Sequence, residues 1–441
     1  MYENITITYL VASIVIGYLL GVISGLIPGI HTNNFALLLL SLSPIFIELG
    51  ISPIYVAVAI LSNSISHTFH DIIPAIFLGA PNDDVALAVL PGHRLLLDGY
   101  GAEAVRLSAL GSAGSVVFSV ILALPLIFFF ANNYSLVQEN MALILILIST
   151  VLIITEKGET VPGQGSLARL RFVFYALLIF LISGSLGYIA FRTEYLAKPI
   201  LDIGEPTVLL PLLSGLFGAS QLIISMMSDA HVPTKNISQM KLPSKNIARG
   251  IFTGSLAGSL VAWLPGVSSS TATVMTRLMI PENFSKEQND EDLLEKAKEF
   301  IVSVSGVNTS NAIFGLFALA IIEKTRSGAM VAIDSLLSGT GINSTFILMC
   351  IIALLTASLF SYISTVAIGN NIHRVLEKIE YSKVCKGVLA FLCVTVTVLT
   401  GFYGLLLFVI ATTIGMLPPF MKVRRAHAMG VILLPVILYF L

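Results

Sequence analysis

The chain has 441 residues, of which 56% are hydrophobic and only 11% charged, and its mean hydropathy is +0.92. Soluble domains carry about a quarter charged residues, so this composition excludes a water-exposed globular surface. The formal net charge of −1 excludes the basic field of a nucleic-acid-binding protein.

Apolar runs extend over nearly the whole chain and describe one membrane body rather than the roughly three soluble domains that length alone would suggest. In chain order the candidate segments are 9–28, 34–49, 52–79, 104–131, 140–155, 171–191, 207–227, 249–265, 298–322, 343–369, 384–400, 402–418 and 426–441. At roughly 20 residues per crossing, this predicts an all-α polytopic protein with about 12 transmembrane helices. The pieces 266–280 and 327–338 are too short to cross alone and read as re-entrant. Residues 1–8 contain Glu3 and no Lys or Arg. A secretory signal needs a basic n-region, so 9–28 reads as a retained first helix.

Three polar stretches interrupt the apolar runs: 229–248 with Lys235, Lys241 and Lys245, 281–299, and 372–386 with His373, Arg374, Lys378, Lys383 and Lys386. The second carries Leu293, Leu294, Ala297 and Phe300 at helical spacing, which suggests a surface helix with a solvated charged face. Cys350, Cys385 and Cys393 form no CxxC or Cys/His pattern and read as small apolar residues without a disulfide framework.

The chain resembles itself. GYLLGVISGLIPGIHTNN (17–34) and GIFTGSLAGSLVAWLPGVSSST (250–271) each carry glycines four apart. These are Gly17, Gly21 and Gly25 in one, and Gly250, Gly254 and Gly258 in the other. Each then has a Pro-Gly, Pro28-Gly29 or Pro265-Gly266, followed by small polar residues. SISHTFHDIIPAIF (64–77) matches SGVNTSNAIFGLF (305–317). Pro265 lies 237 residues after Pro28, and Asn308 lies 241 after His67. Two matches at nearly one offset predict a duplicated fold, with residues 1–228 and 249–441 as repeats joined by a basic linker, 229–248. No Lys or Arg precedes the first repeat, whereas Lys235, Lys241, Lys245 and Arg249 precede or open the second. Positive residues stay cytoplasmic, so the repeats are expected to be inverted, the plan of many secondary transporters.

The Gly-xxx-Gly spacing lets helix backbones approach closely in a bilayer. Pro-Gly breaks a membrane helix, and broken backbone is tolerated at depth only where it is buried or lines a cavity. New half-helices would then begin at Thr32, Asn33 and Asn34, and at Ser268, Ser269, Ser270 and Thr271, all residue types that favour N-caps. Such helix starts, aimed inward, suit an anionic group; interfacial turns facing water are the bland alternative. Asn63, His67, His70 and Pro74 share a helical face beside Asp71, with Asn308, Asn311 and Gly315 in the matching places. Ionisable residues inside a membrane usually line a pathway or relay, and histidine titrates near neutrality. A metal at His67, His70 and Asp71, or an interfacial and merely wet segment, are the alternatives. Asp83 and Asp84 would bind a coupling cation or cap the following helix; Arg94 would pair with an anion or anchor the chain inside.

GLIPGIHTNN, PNDDVALAVLPGHRLLLDGYGA (81–102) and AWLPGVSSSTA, in that order, resemble the large membrane subunit of tripartite tricarboxylate transporters, the TctA type, and most closely its single-chain archaeal relatives. The resemblance implies a two-repeat permease for carboxylate anions driven by an ion gradient. In bacterial members a small membrane subunit and an extracytoplasmic binding protein assist. This chain departs from the pattern at Asn82-Asp83-Asp84, where a Gly-x-Pro is usual, and at His31, where a small residue is usual. PGVSSST (265–271) is also similar to the PGVSGGT motif of proteins that translocate polyprenyl-phosphate lipid carriers, with Ser269 and Ser270 in place of two glycines.

The expected function is therefore secondary transport of an organic anion of the di- or tricarboxylate class in the plasma membrane. The alternatives are a polyprenyl-phosphate flippase and, less favoured, an intramembrane hydrolase using His67, His70 and Asp71. Substrate would be held by Thr32–Asn34, Asn63, His67, Ser268–Thr271, Asn308 and Asn311. Coupling would involve His31, His70, Asp71, Asp83 and Asp84, and Na+ or H+ is the coupling ion, with no cofactor or metal. Expected partners are a small anionic substrate or an anionic lipid, and membrane lipids; a homo-oligomer and accessory subunits stay open.

Overall fold

A computed structural model describes residues 6–27, 32–79, 83–156, 166–200, 207–227, 242–264, 269–279, 290–337, 342–376 and 381–441. Helices dominate and no strand occurs among these residues, as lipid requires when each backbone polar group must find its partner within the segment. The helices are α1 (Ile7–Leu26), α2 (Thr32–Glu48), α3 (Pro53–His70), α4 (Ile72–Phe77), α5 (Val89–Leu97), α6 (Gly101–Glu139), α7 (Met141–Ile154), α8 (Ser166–Arg192), α9 (Leu209–Leu213), α10 (Ser220–Met227), α11 (Ser244–Val261), α12 (Ser269–Met279), α13 (Asp290–Ile322), α14 (Gly328–Leu337), α15 (Ser344–Leu376), α16 (Tyr381–Met421) and α17 (Gly430–Phe440). A 3-10 turn at Asp83–Ala88 precedes α5, and a π-helical stretch at Ser214–Ala219 joins α9 to α10.

Six segments are long and apolar enough to cross a membrane: Ile7–Leu26, Gly101–Glu139, Leu170–Arg192, Glu291–Ile322, Thr345–Ile372 and Cys385–Met421. Shorter apolar helices, among them Met141–Ile154 and Arg425–Phe440, supplement them. The chain is thus an all-α polytopic membrane protein. Large apolar side chains on the outer faces of α1, α6, α8 and α16, such as Leu19, Leu124, Phe174 and Phe402, are exposed, the mark of a surface that meets lipid. α16 is two helices meeting at Gly401, whose φ of 69° and ψ of −168° are non-helical. That break falls between the two segments read from sequence, 384–400 and 402–418.

The glycine rows are packing ridges. α1 lies on α3 so closely that a β-carbon on Gly17 would sit 2.2 Å from the Ala59 carbonyl oxygen, and one on Gly21 2.6 Å from that of Asn63. α11 lies on α13 in the same way, since β-carbons on Gly254 and Gly258 would each sit 2.3 Å from the carbonyl oxygens of Ser303 and Val307 respectively. Both pairs run parallel, because partner numbers rise together along each. Every residue of α3 from Ile54 to His70 is buried. Encased by α1, α14 and α15, it can carry serines, an asparagine and histidines that a lipid-facing helix could not.

The contacts cross between the first and second parts of the chain. α2 packs on α14, and α12 packs on the Asp83–Ala88 turn; α13 packs on α6 and α5, and α3 on α15 and α14. α3 and α13 meet where Thr68 Oγ1 lies 3.1 Å from Thr309 Oγ1 and where Asp71, just past the end of α3, accepts from Asn308.

The charged stretch 281–299 does not hold a separate surface helix over its described part. From Asp290 it is the first part of α13, which runs unbroken into the apolar region. Leu294 and Phe300 are buried, and so are Lys298 and Glu299. Lys298 Nζ lies 3.8 Å from Glu103 and 4.6 Å from the Tyr100 ring centre, while Glu299 takes a two-pronged hydrogen bond from Arg249. The apolar spacing was read correctly, but its face meets protein, so these two charges are paired rather than solvated. All three cysteines are free thiols; Cys350 and Cys385 are buried.

Candidate functional site

The ends of two helices and two scaffold helices define the site. α1 stops at Leu26 and α2 starts at Thr32; α11 stops at Val261 and α12 starts at Ser269. The Pro-Gly breaks, Pro28-Gly29 and Pro265-Gly266, together with His31 and Ser268, lie outside the described residues, as do Pro81 and Asn82.

At each restart a scaffold asparagine reaches the first helical hydroxyl. Asn63 Nδ2 donates to Thr32 Oγ1 at 2.9 Å, and Asn311 Nδ2 donates to Ser269 Oγ at 2.9 Å. Thr32 and Ser269 are themselves 237 residues apart, the spacing of the two Pro-Gly pairs. Asn33 Oδ1 accepts the Ala329 backbone N–H at 3.1 Å, tying the start of α2 to that of α14. Ser270 is fully buried. Asn34 and Thr271 occupy the first turns of α2 and α12; their side chains lie outside the described set.

Between the scaffolds runs a chain of polar contacts. Ser24 Oγ lies 2.9 Å from His67 Nδ1. His67 Nε2 lies 3.9 Å from Asp71 Oδ2, and Asn308 Nδ2 donates to that same oxygen at 2.7 Å. Ser24, His67, Asp71 and Asn308 are all nearly inaccessible to solvent. The relay therefore links α1 and α3 to α13 through a buried carboxylate, a group that needs such donors to stay charged.

Some of these residues line a cavity of about 50 Å³, whereas Ser24, Asn63, Asp71, Ser269 and Ser270 stand outside its lining. Thr32, Asn33, His67, Asp84, Asn308 and Asn311, all singled out from sequence, line it. So do Ser64, Thr68, Ala312, Gly315, Arg326 and Ser327, of which only Gly315 was noted. A water needs roughly 10–15 Å³ by this measure, so the space suits about three or four waters or one carboxylate group.

Other expectations separate. His70 does not share the His67 surroundings: its Nδ1 donates to Ser66 O at 2.7 Å, and its Nε2 lies 2.8 Å from Ser364 Oγ on α15. α3 ends at His70 and α4 begins at Ile72, so Pro74 stands on the next helix while Asn63, His67 and His70 share α3. Asp83 starts the 3-10 turn, with its side chain outside the described set. Arg94 is half-exposed and 3.8 Å from Asp98 on the next turn of α5, away from the cavity lining. Among the described residues no three His, Cys, Asp or Glu side chains gather as metal ligands.

Residues 11–430 match the model of the tripartite tricarboxylate transporter TctA family. The chain belongs to this family. It is also 28% identical over 446 residues to an uncharacterized protein of Methanocaldococcus jannaschii, a match that covers 97% of this chain and 98% of that protein. No solved structure matches. Membership makes this TctA-family chain a multi-pass protein of the cell membrane and a component of a tricarboxylate transporter, in a family whose large subunits work with accessory subunits.

Proposed function

We propose that this TctA-family protein is a secondary transporter that moves a small di- or tricarboxylate anion together with a proton or a sodium ion. The observation that carries the reading is a cavity lined by one helix restart, Thr32, together with Asn308 and Asn311 of α13, the latter also holding Ser269 at the other restart. Helix starts and amide donors suit an anion. The acids Asp84 and Asp71, one lining the cavity and one within hydrogen-bond reach of its Asn308 wall, suit a cation or a proton. Paired sites of opposite character are what symport requires.

The matching glycine ridges support two repeats, residues 1–228 and 249–441, joined by 229–248, and the positive residues before the second repeat but not before the first support their inversion. Accessibility labelling at residue 2 and residue 240 tests this: finding both on one side of the membrane removes the inversion. The cavity holds one carboxylate group rather than a whole tricarboxylate, so loading requires the helix tips to part, in keeping with alternating access. Neither the fold nor the family match supports the lipid-carrier or hydrolase readings.

The test is uptake of labelled citrate and succinate into proteoliposomes under separate proton and sodium gradients. Accumulation driven by one gradient is expected, and Ser269→Leu with Ser270→Leu should abolish it while the protein still inserts. Absence of carboxylate uptake under either gradient, or full uptake by the double variant, would end the proposal.

A further inference from the structure

We infer that Arg326 anchors one carboxylate of the transported anion and that Tyr134 holds it in place for that task; this rests on the carboxylate reading above. Arg326 lies in the short link between α13 and α14 and is the one Lys or Arg among the described residues lining the cavity. Its Nη2 donates to the Tyr134 hydroxyl on α6, and its guanidinium carbon sits 5.5 Å from the centre of the Tyr134 ring. Both contacts orient the guanidinium without cancelling its charge. Asp84 lines the same cavity but makes no ion pair with Arg326. The Nε–H of Arg326 is buried without a hydrogen-bond partner. A buried donor left unpaired is costly, and a guanidinium edge matches the two oxygens of a carboxylate.

The neighbouring helix start does not compete for the anion. The Ala329 N–H is taken by Asn33, the Met330 N–H by Ser327 Oγ at 3.3 Å, and the Val331 N–H by Ser327 O at 2.9 Å. With the Ala329, Met330 and Val331 amides of α14 engaged, the full positive charge offered to a ligand on this wall comes from Arg326. Asn33 and Ser327 instead lock the guanidinium-bearing link against α2.

The test uses full-length protein in lipid nanodiscs and calorimetric titration with citrate, tricarballylate, succinate, acetate and glycerol. Wild-type protein is expected to bind citrate and to ignore glycerol. Arg326→Gln should weaken citrate binding roughly 10- to 100-fold, the loss of one charge-assisted hydrogen-bonded pair. Arg326→Lys should recover part of it, because an ammonium keeps the charge but not the fork, and Tyr134→Phe should weaken binding by a smaller factor. Citrate should also slow phenylglyoxal modification of Arg326 relative to Arg94 in the wild-type chain, a readout that needs no variant to fold. Citrate binding that survives Arg326→Gln, or modification of Arg326 that citrate does not slow although citrate binds, overturns the anchor and leaves the carboxylate reading standing. Wild-type protein that binds none of the four anions overturns both.

Discussion

The helix pairs α1–α3 and α11–α13 are built alike and equipped differently. Each presses a row of glycines, four residues apart, onto carbonyl oxygens of a parallel partner, and each scaffold sends an asparagine to the first hydroxyl of a restarting helix. The first pair carries Ser24, His67 and Asp71, groups that can gain or lose a proton or a cation. The second offers amides and hydroxyls at Asn308, Thr309 and Asn311. Backbone contact is thus shared between the pairs, whereas the ionisable group of these helices that lines the cavity, His67, sits in the first; Arg249, Lys298 and Glu299 of the second are paired near the start of α13. The transport cycle proposed above would use that division: a repeated frame, and an unequal distribution of charge that an ion gradient would bias.

The largest expected effect tests the shared frame. Gly21→Leu and Gly254→Leu each push a side chain into a carbonyl less than 3 Å from the would-be β-carbon. Each should cost about 3 kcal/mol or more through overpacking and sharply reduce folded protein in size-exclusion profiles after extraction. A large loss for one and none for the other would break the equivalence of the two pairs. Next comes the difference in chemistry. Asn308→Ala removes the charge-assisted hydrogen bond to Asp71 and should destabilise by about 2 kcal/mol, read as a lower melting temperature. Combining it with Asp71→Asn should return much of that loss, since no buried carboxylate is then left short of a donor. A double variant as unstable as Asn308→Ala alone would show that the carboxylate is not what makes the first pair distinct. The smallest effects concern the matching asparagines: Asn63→Ala and Asn311→Ala each remove one short neutral hydrogen bond to a helix start, Asn63→Ala also two long ones to Thr32 O and from Ser24, and each should cost about 1 kcal/mol. Similar shifts in melting sharpen the comparison; unequal ones locate where it ends.

Much of this was legible in the residues. Apolar runs placed most helices within a few residues, because a span must be apolar over its length. The glycine rows marked the close pairs, and Gly401 marked the fold-back inside α16. The polar residues of α3 and α13 identified the cavity walls because such groups are expensive in lipid and therefore point inward. What was missed depends on distance in sequence. Arg326 gives no periodic signal in a short link, and its holder Tyr134 lies 192 residues earlier. Ser24, Ser64 and Thr68 look like ordinary small residues until the packing turns them toward His67, the cavity and Thr309. Lys298 and Glu299 were read as solvated because charge alone does not reveal that α6 and α11 bring Glu103 and Arg249 to meet them. His70 was grouped with His67 because both stand on α3, but one turn along the helix its ring meets Ser66 O and Ser364 of α15 instead of the cavity.

Trp263 is the chain's single tryptophan, and it sits at the end of the second glycine-row helix, fully enclosed and stacked on Phe130 at 4.5 Å with the rings 7° from parallel. Its indole N–H has no hydrogen-bond partner among the described residues. A dry, unbonded indole emits toward the blue, and admission of water shifts that light toward the red. The molecule therefore carries its own optical reporter where α11 ends, so any parting of the helices that the proposed cycle demands would be timed by native fluorescence, without any added dye.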